Sequence, residues 1–312
     1  MAVLFTILSD LGQVDADPDT IEAMLTPNVI DLEVDPGDAV ERTLTLSYKS
    51  GPPVTAIVNK FDFRQLPDGA FELLPADTAP SDEGHWNGAA WVAPPSASPH
   101  LTSGQDLLLK VLISVPEETE PGEYHSFLGV DFPGLVSERG ISLVPRLGAR
   151  FYITVRGEHR RQADDVRVSF ENMGPLGIPG PVEIAINLHN SGTLHLDGSG
   201  RVELQERITG ATWELLLPRR RILPEEEARL TAIVSGNDGV MPLHLYHGHL
   251  ILTDPALAAA LPNDEFDLWL VDLPALIAWA AFVAGAWITW KSGAPQGVGR
   301  RLRRAVEAFW RG

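Results

Sequence analysis

Hydrophobic positions along most of this chain alternate rather than recur every three to four residues. Residues 29–34 (VIDLEV) alternate, a Pro36-Gly37-Asp38 turn follows, and residues 39–48 (AVERTLTLSY) alternate again with threonines on the polar side. Residues 54–63 follow a Gly-Pro-Pro break. Residues 107–115 (LLLKVLISV) form a nearly continuous apolar run, which predicts a strand covered on both faces or a central sandwich strand. Pro121-Gly122 turns into residues 123–132, and residues 141–155 supply closing strands. Residues 66–100 read as one long polar loop carrying Trp86 and Trp91.

The second half repeats this grammar. Strands are predicted at 166–170, 182–190, 200–205, 212–217, 228–235 and 247–253, with turns at 177–181, 190–192, 197–200 and 236–239. Residues 254–261 suit a short helix. The pattern predicts an all-β fold: two tandem immunoglobulin-like β-sandwiches at 28–157 and 166–261, joined by a charged linker at 158–165. A stalk at 262–267 then leads to one C-terminal transmembrane helix at 268–290 and a basic cytoplasmic tail at 291–312.

The span rests on residues 273–290 (LPALIAWAAFVAGAWITW), 18 residues without a charge. Charge then fixes its direction. The last 22 residues carry six basic side chains against one acid, so a net charge of −18 divides into +5 there and −23 before it. Arginines beside a span stay inside, which predicts a single-pass protein of the cell membrane with its β domains extracytoplasmic and its tail cytoplasmic. Trp269, Trp287, Trp290, Arg300, Arg301, Arg303 and Arg304 are the expected membrane-interface residues, and membrane lipid is the first expected partner. Residues 1–27 begin with a short apolar run (AVLFTIL) that has no basic residue before it. This segment is either the remnant of a signal peptide or a strand, and the sequence leaves both open.

Chemistry is sparse. The acidic balance speaks against a nucleic-acid partner. The absence of cysteine excludes disulfides and thiolate sites. There is no Gly-x-Ser-x-Gly elbow, phosphate loop or His-Glu-x-x-His, so no catalytic residue and no cofactor is expected. His244, His247 and His249 are the only histidine cluster and the sole candidate metal ligands, but strand alternation puts His244 opposite the other two. Trp86 and Trp91, with the basic run Arg219, Arg220 and Arg221, are the candidate contacts for an envelope protein or an anionic wall polymer.

The series Val34-Asp35-Pro36-Gly37-Asp38, Thr43 to Ser47 and Val54 to Phe63 resembles the opening of pilus-chaperone-like immunoglobulin domains on bacterial surface proteins. Ala90-Trp91-Val92, Leu101 to Gln105, Val111 to Pro116 and Glu120 to Tyr124 resemble that domain's later half, with Thr102-Ser103-Gly104 where the family carries a proline-glycine pair. Gly148 to Val155, Val182 to Asn190, Ser191-Gly192-Thr193 and His195 are similar to the second domain of the same membrane-anchored architecture. The resemblance covers residues 28–290 and extends to WxL-interacting surface proteins. It implies a non-catalytic adhesion or scaffolding role at a bacterial envelope. The alternatives are a membrane-tethered assembly chaperone for surface subunits and, further off, a metal-dependent hydrolase. The particular partner and the oligomeric state are not written in these residues.

Overall fold

The computed structural model describes residues 21–76, 86–95, 98–133, 135–136, 142–172, 182–234, 243–271 and 273–291. The expected N-terminal segment lies outside them except for its last residues, and so does nearly all of the basic tail. The chain divides into two units. The first holds residues 1–162 together with two returning segments, 189–196 and 222–227. The second holds 163–188, 197–221 and 228–312.

In chain order the first thirteen strands are β1 (Glu22–Thr26), β2 (Val29–Val34), β3 (Ala39–Ser50), β4 (Val54–Thr55), β5 (Ile57–Gln65), β6 (Phe71–Pro75), β7 (Val92–Ala93), β8 (His100–Leu101), β9 (Gln105–Ser114), β10 (Gly122–Asp131), β11 (Leu135–Val136), β12 (Ser142–Leu143) and β13 (Arg146–Val155). They build a four-stranded sheet, β1-β3-β9-β7, and a five-stranded sheet, β2-β13-β10-β5-β6. β2 runs parallel to β13, with Ile30 opposite Phe151 and Leu32 opposite Ile153. The apolar positions of the alternating strands meet in one core that includes Leu44, Leu46, Tyr48, Val111, Ile113, Leu128, Val130, Phe151 and Ile153.

The second half contains β14 (Ala163–Asn172), β15 (Val182–Asn190), β16 (Leu196–Asp197), β17 (Gly200–Glu206), β18 (Thr212–Leu217), β19 (Arg221–Ile222), β20 (Glu227–Val234), β21 (Leu243–Leu252), helix α1 (Pro255–Ala260), β22 (Glu265–Val271) and helix α2 (Leu273–Lys291). Its sheets are β14-β15-β20, β18-β17-β21-β22 and the two-stranded β16-β19. Asp254 caps α1, accepting a hydrogen bond from the Ala256 N–H at 2.9 Å. Its other oxygen accepts from the Asp197 N–H at 2.9 Å, so one buried carboxylate fixes both helix and neighbouring turn.

Three sequence expectations are corrected. Residues 54–63 are not one strand: Ala56 breaks them into β4 and β5 and gives its N–H to Pro99 O at 2.9 Å. Of the two readings of residues 107–115, coverage on both faces falls, because Leu108 and Leu112 are 65% and 43% exposed. The C-terminal helix does not begin at 268. Leu268 and Trp269 belong to β22, opposite Tyr246 and Leu245 of β21, and Leu268 is buried there. Trp269 therefore sits on a sheet, two residues before the strand ends, and its side chain is exposed. Among the described residues no helix is long and apolar enough to cross a membrane.

Candidate functional site

The histidine cluster lies on β21. His247 and His249 are two residues apart on one face, and His244 sits at the opposite parity, in register with Leu270. His247 and His249 each have their own acid. His247 Nδ1 is 3.1 Å from Asp267 Oδ1, which also receives Arg207 Nη2 at 2.8 Å. His249 Nε2 is 3.0 Å from Asp264 Oδ2 and holds that carboxyl below its usual range. The two histidines border an open depression of about 520 Å³, with Glu203, Gln205, Trp213 and Glu214. Paired separately, they do not converge. Among the described residues no group of three or more His, Asp or Glu side chains is placed to hold a metal ion. His195 and His189 belong to the first unit: His195 Nδ1 contacts buried Glu123, and His189 faces Glu225 at 3.9 Å.

The two loop tryptophans are built into the first unit. Trp86 packs on Tyr124 with ring centroids 5.2 Å apart, and Trp91 packs on the same ring at 4.4 Å. Trp86 also covers Gly122, where a Cβ would fall 2.1 Å from its ring. Only glycine admits that approach. The short turn at Ala89–Trp91 is pinned by buried Asp62, which accepts the Ala89 N–H at 2.8 Å and whose carboxyl burial pushes upward in pKa. Both rings thus serve packing in this structure.

The basic run is dispersed. Arg219 reaches Asp197 at 2.9 Å, Arg220 donates to the Arg229 carbonyl, and Arg221 opens β19. Arg219 and Arg220 are thus engaged by different groups. Trp287 lies on α2 beneath Lys291, whose ammonium is 4.8 Å from the ring centroid. Trp290 is a residue of the same helix. Arg300, Arg301, Arg303 and Arg304 fall outside the described residues.

Two further features stand out, and the first of them escaped sequence reasoning. The first is a buried polar seam in the first unit, made where the returning segments meet strand ends. Glu226 accepts the Gln65 N–H at 3.3 Å, and Gln65 Oε1 accepts the Leu223 N–H at 3.3 Å. Fully buried Asn190 donates to Leu194 O and Ile222 O and accepts from Gly192 N–H. The second is the surface of α2. Leu276, Ile277, Phe282, Val283, Trp287 and Ile288 are all between 43% and 62% exposed, and at 100° per residue they are spread around the helix rather than along one stripe.

No family model matches this sequence, and no curated protein matches it. Solved structures do. The chaperone–tip adhesin pre-assembly complex of archaic Csu pili from Acinetobacter baumannii is 12% identical over 80% of this chain and 97% of that one, with a TM-score of 0.39. The E. coli chaperone DraB is 12% identical over 80% and 98%, at 0.37. A PapD-like domain of human CEP192 is 14% identical over 50% and 99%, at 0.31. Likeness of this degree carries no argument about function.

Proposed function

We propose that this chain is a non-catalytic bacterial envelope protein, seated in a lipid membrane through α2, whose β units hold a protein partner outside the lipid. One observation carries the reading: α2 offers large apolar side chains to its surroundings over most of its circumference. Water is a poor solvent for such a surface, and an apolar medium is a good one. A protein partner is preferred to an anionic wall polymer because Arg219 is engaged by Asp197 and Arg220 by the Arg229 carbonyl. A membrane-tethered assembly chaperone is the second reading. It is favoured by β18, which ends its sheet as an edge strand with Leu216 74% exposed, the kind of edge a strand-exchanging protein uses.

Flotation of the full chain with phosphatidylethanolamine vesicles tests the membrane seat. The full chain is expected to float, and Ile277→Asp with Val283→Asp to leave it at the bottom of the gradient. A wild-type chain that stays dispersed without lipid or detergent overturns the reading. Cross-linking from Leu216 in intact cells separates the two roles: a partner subunit that is later released indicates a chaperone, and one that is held indicates a scaffold.

A further inference from the structure

β9 is an edge strand for most of its length. It pairs with β3 from Gln105 to Ser114, but on its other side β7 supplies only Val92 opposite Ile113 and Ala93 opposite Leu112. Pro94 and Pro95 follow at once, and proline has no N–H to continue a ladder. At the other end the chain turns through Thr102 to Gln105, where the Gln105 N–H donates to Thr102 O at 3.2 Å. The stretch from Gln105 to Val111 therefore has no ladder partner on this side among the described residues, and alternate residues aim backbone donors and acceptors outward.

The side chains along this free edge are self-complementary. Its midpoint is Leu108, 65% exposed on the outer face. Two residues before it stands Asp106, and two residues after it Lys110, at the same parity. Antiparallel pairing of this stretch with itself about Leu108 sets Asp106 of each chain opposite Lys110 of the other, twice, and flanks the Leu108 pair with both ion pairs. Leu107 and Leu109 oppose one another on the inner face. Asp106 makes no ion pair among the described residues. Lys110 meets only Glu41 across β3, at 3.0 Å, with both side chains more than half exposed, so its ammonium has room for a second carboxylate. β7 on each chain blocks any slip that would lengthen the ladder. The geometry points to a second copy of this chain as the occupant: two first units join through β9 in a two-fold antiparallel ladder centred on Leu108.

This inference stands whether or not α2 sits in lipid, and its test does not read the membrane. The chain has no cysteine, so single cysteines report cleanly. Residues directly opposed across an antiparallel ladder lie about 4.5–5.5 Å apart at Cα, within disulfide range. Full-length Leu108→Cys in detergent is expected to form a disulfide-linked dimer on mild oxidation. Asp106→Cys alone should not, since its copy lies four residues along the ladder, about 13 Å away. Mixing Asp106→Cys with Lys110→Cys chains should restore the link. In sedimentation, Asp106→Lys or Lys110→Asp alone should weaken dimerisation about tenfold or more, because like charges then oppose each other twice. The double exchange should recover it. A monomeric wild type, equal cross-linking at 106 and 108, or dimerisation indifferent to the single reversals overturns the proposal. So does a cross-link from residue 108 to a different protein.

Discussion

Glu226 shows how an individual side chain can tie the fold to pH. Its carboxyl is pushed up to about 7, chiefly by burial, although the Gln65 N–H and the nearby charges of Arg64 and His189 pull the other way. The unfolded chain releases that proton near the ordinary glutamate value. A raised folded pKa means that the contribution is intact below the unfolded pKa and is lost as pH climbs through about 7. Stability should therefore fall between roughly pH 4.5 and 8 on account of this group. Glu226→Gln keeps the acceptor for Gln65 and removes the charge. It is expected to flatten this part of the profile and to stabilise the protein at pH 8 by about 1–2 kcal/mol, a figure already reduced for partial solvent exposure. Urea melts at pH 5 and pH 8 check this, and an equal effect of the substitution at both pH values would refute the assignment. None of this is visible in the sequence, where Glu225-Glu226-Glu227 after Pro224 reads as a solvated turn. The burial arises because segment 222–227 returns to the first unit.

At the scale of elements, β7 and β9 show what patterning reveals and what it leaves out. Alternation located β2 and β3, because each has one face in a core, and residues 254–261, read as a short helix, contain α1. Coverage is another matter. LLLKVLI describes the side chains of β9 and says nothing of how much strand lies beside it. That depends on Pro94 and Pro95, which are distant in sequence from the edge they leave open. β22 was missed for a related reason: its apolar residues run into those of α2, and only the ladder with β21 separates strand from helix. Replacing Pro94 with Thr and Pro95 with Val supplies two backbone donors and residues suited to strands. β7 should then extend along β9. Amide exchange is expected to slow between Asp106 and Val111, while the β9-mediated dimer weakens. Unchanged exchange with an unchanged dimer would show that these prolines do not set the length of the free edge.

For the whole molecule, the two ends of the sequence-derived charge map act on a membrane in opposite directions. The first 290 residues carry −23 and are repelled by an anionic leaflet, whereas the last 22 carry +5. The apolar surface of α2 is indifferent to headgroup charge. Membrane binding should therefore separate into two additive parts. Wild-type protein is expected to bind neutral phosphatidylcholine vesicles through α2, and to bind vesicles containing phosphatidylglycerol more tightly through Arg300, Arg301, Arg303 and Arg304. Each basic residue near such a surface contributes about 1 kcal/mol at most ionic strengths of interest, and the gain fades as salt shortens the Debye length. Changing the four arginines to glutamine should remove the preference for anionic lipid and leave neutral binding intact. Ile277→Asp with Val283→Asp should abolish binding to both. The decisive result is the neutral vesicle: a chain that binds anionic lipid alone, and is released by salt, adheres by charge, and α2 then needs a protein rather than a membrane to cover it.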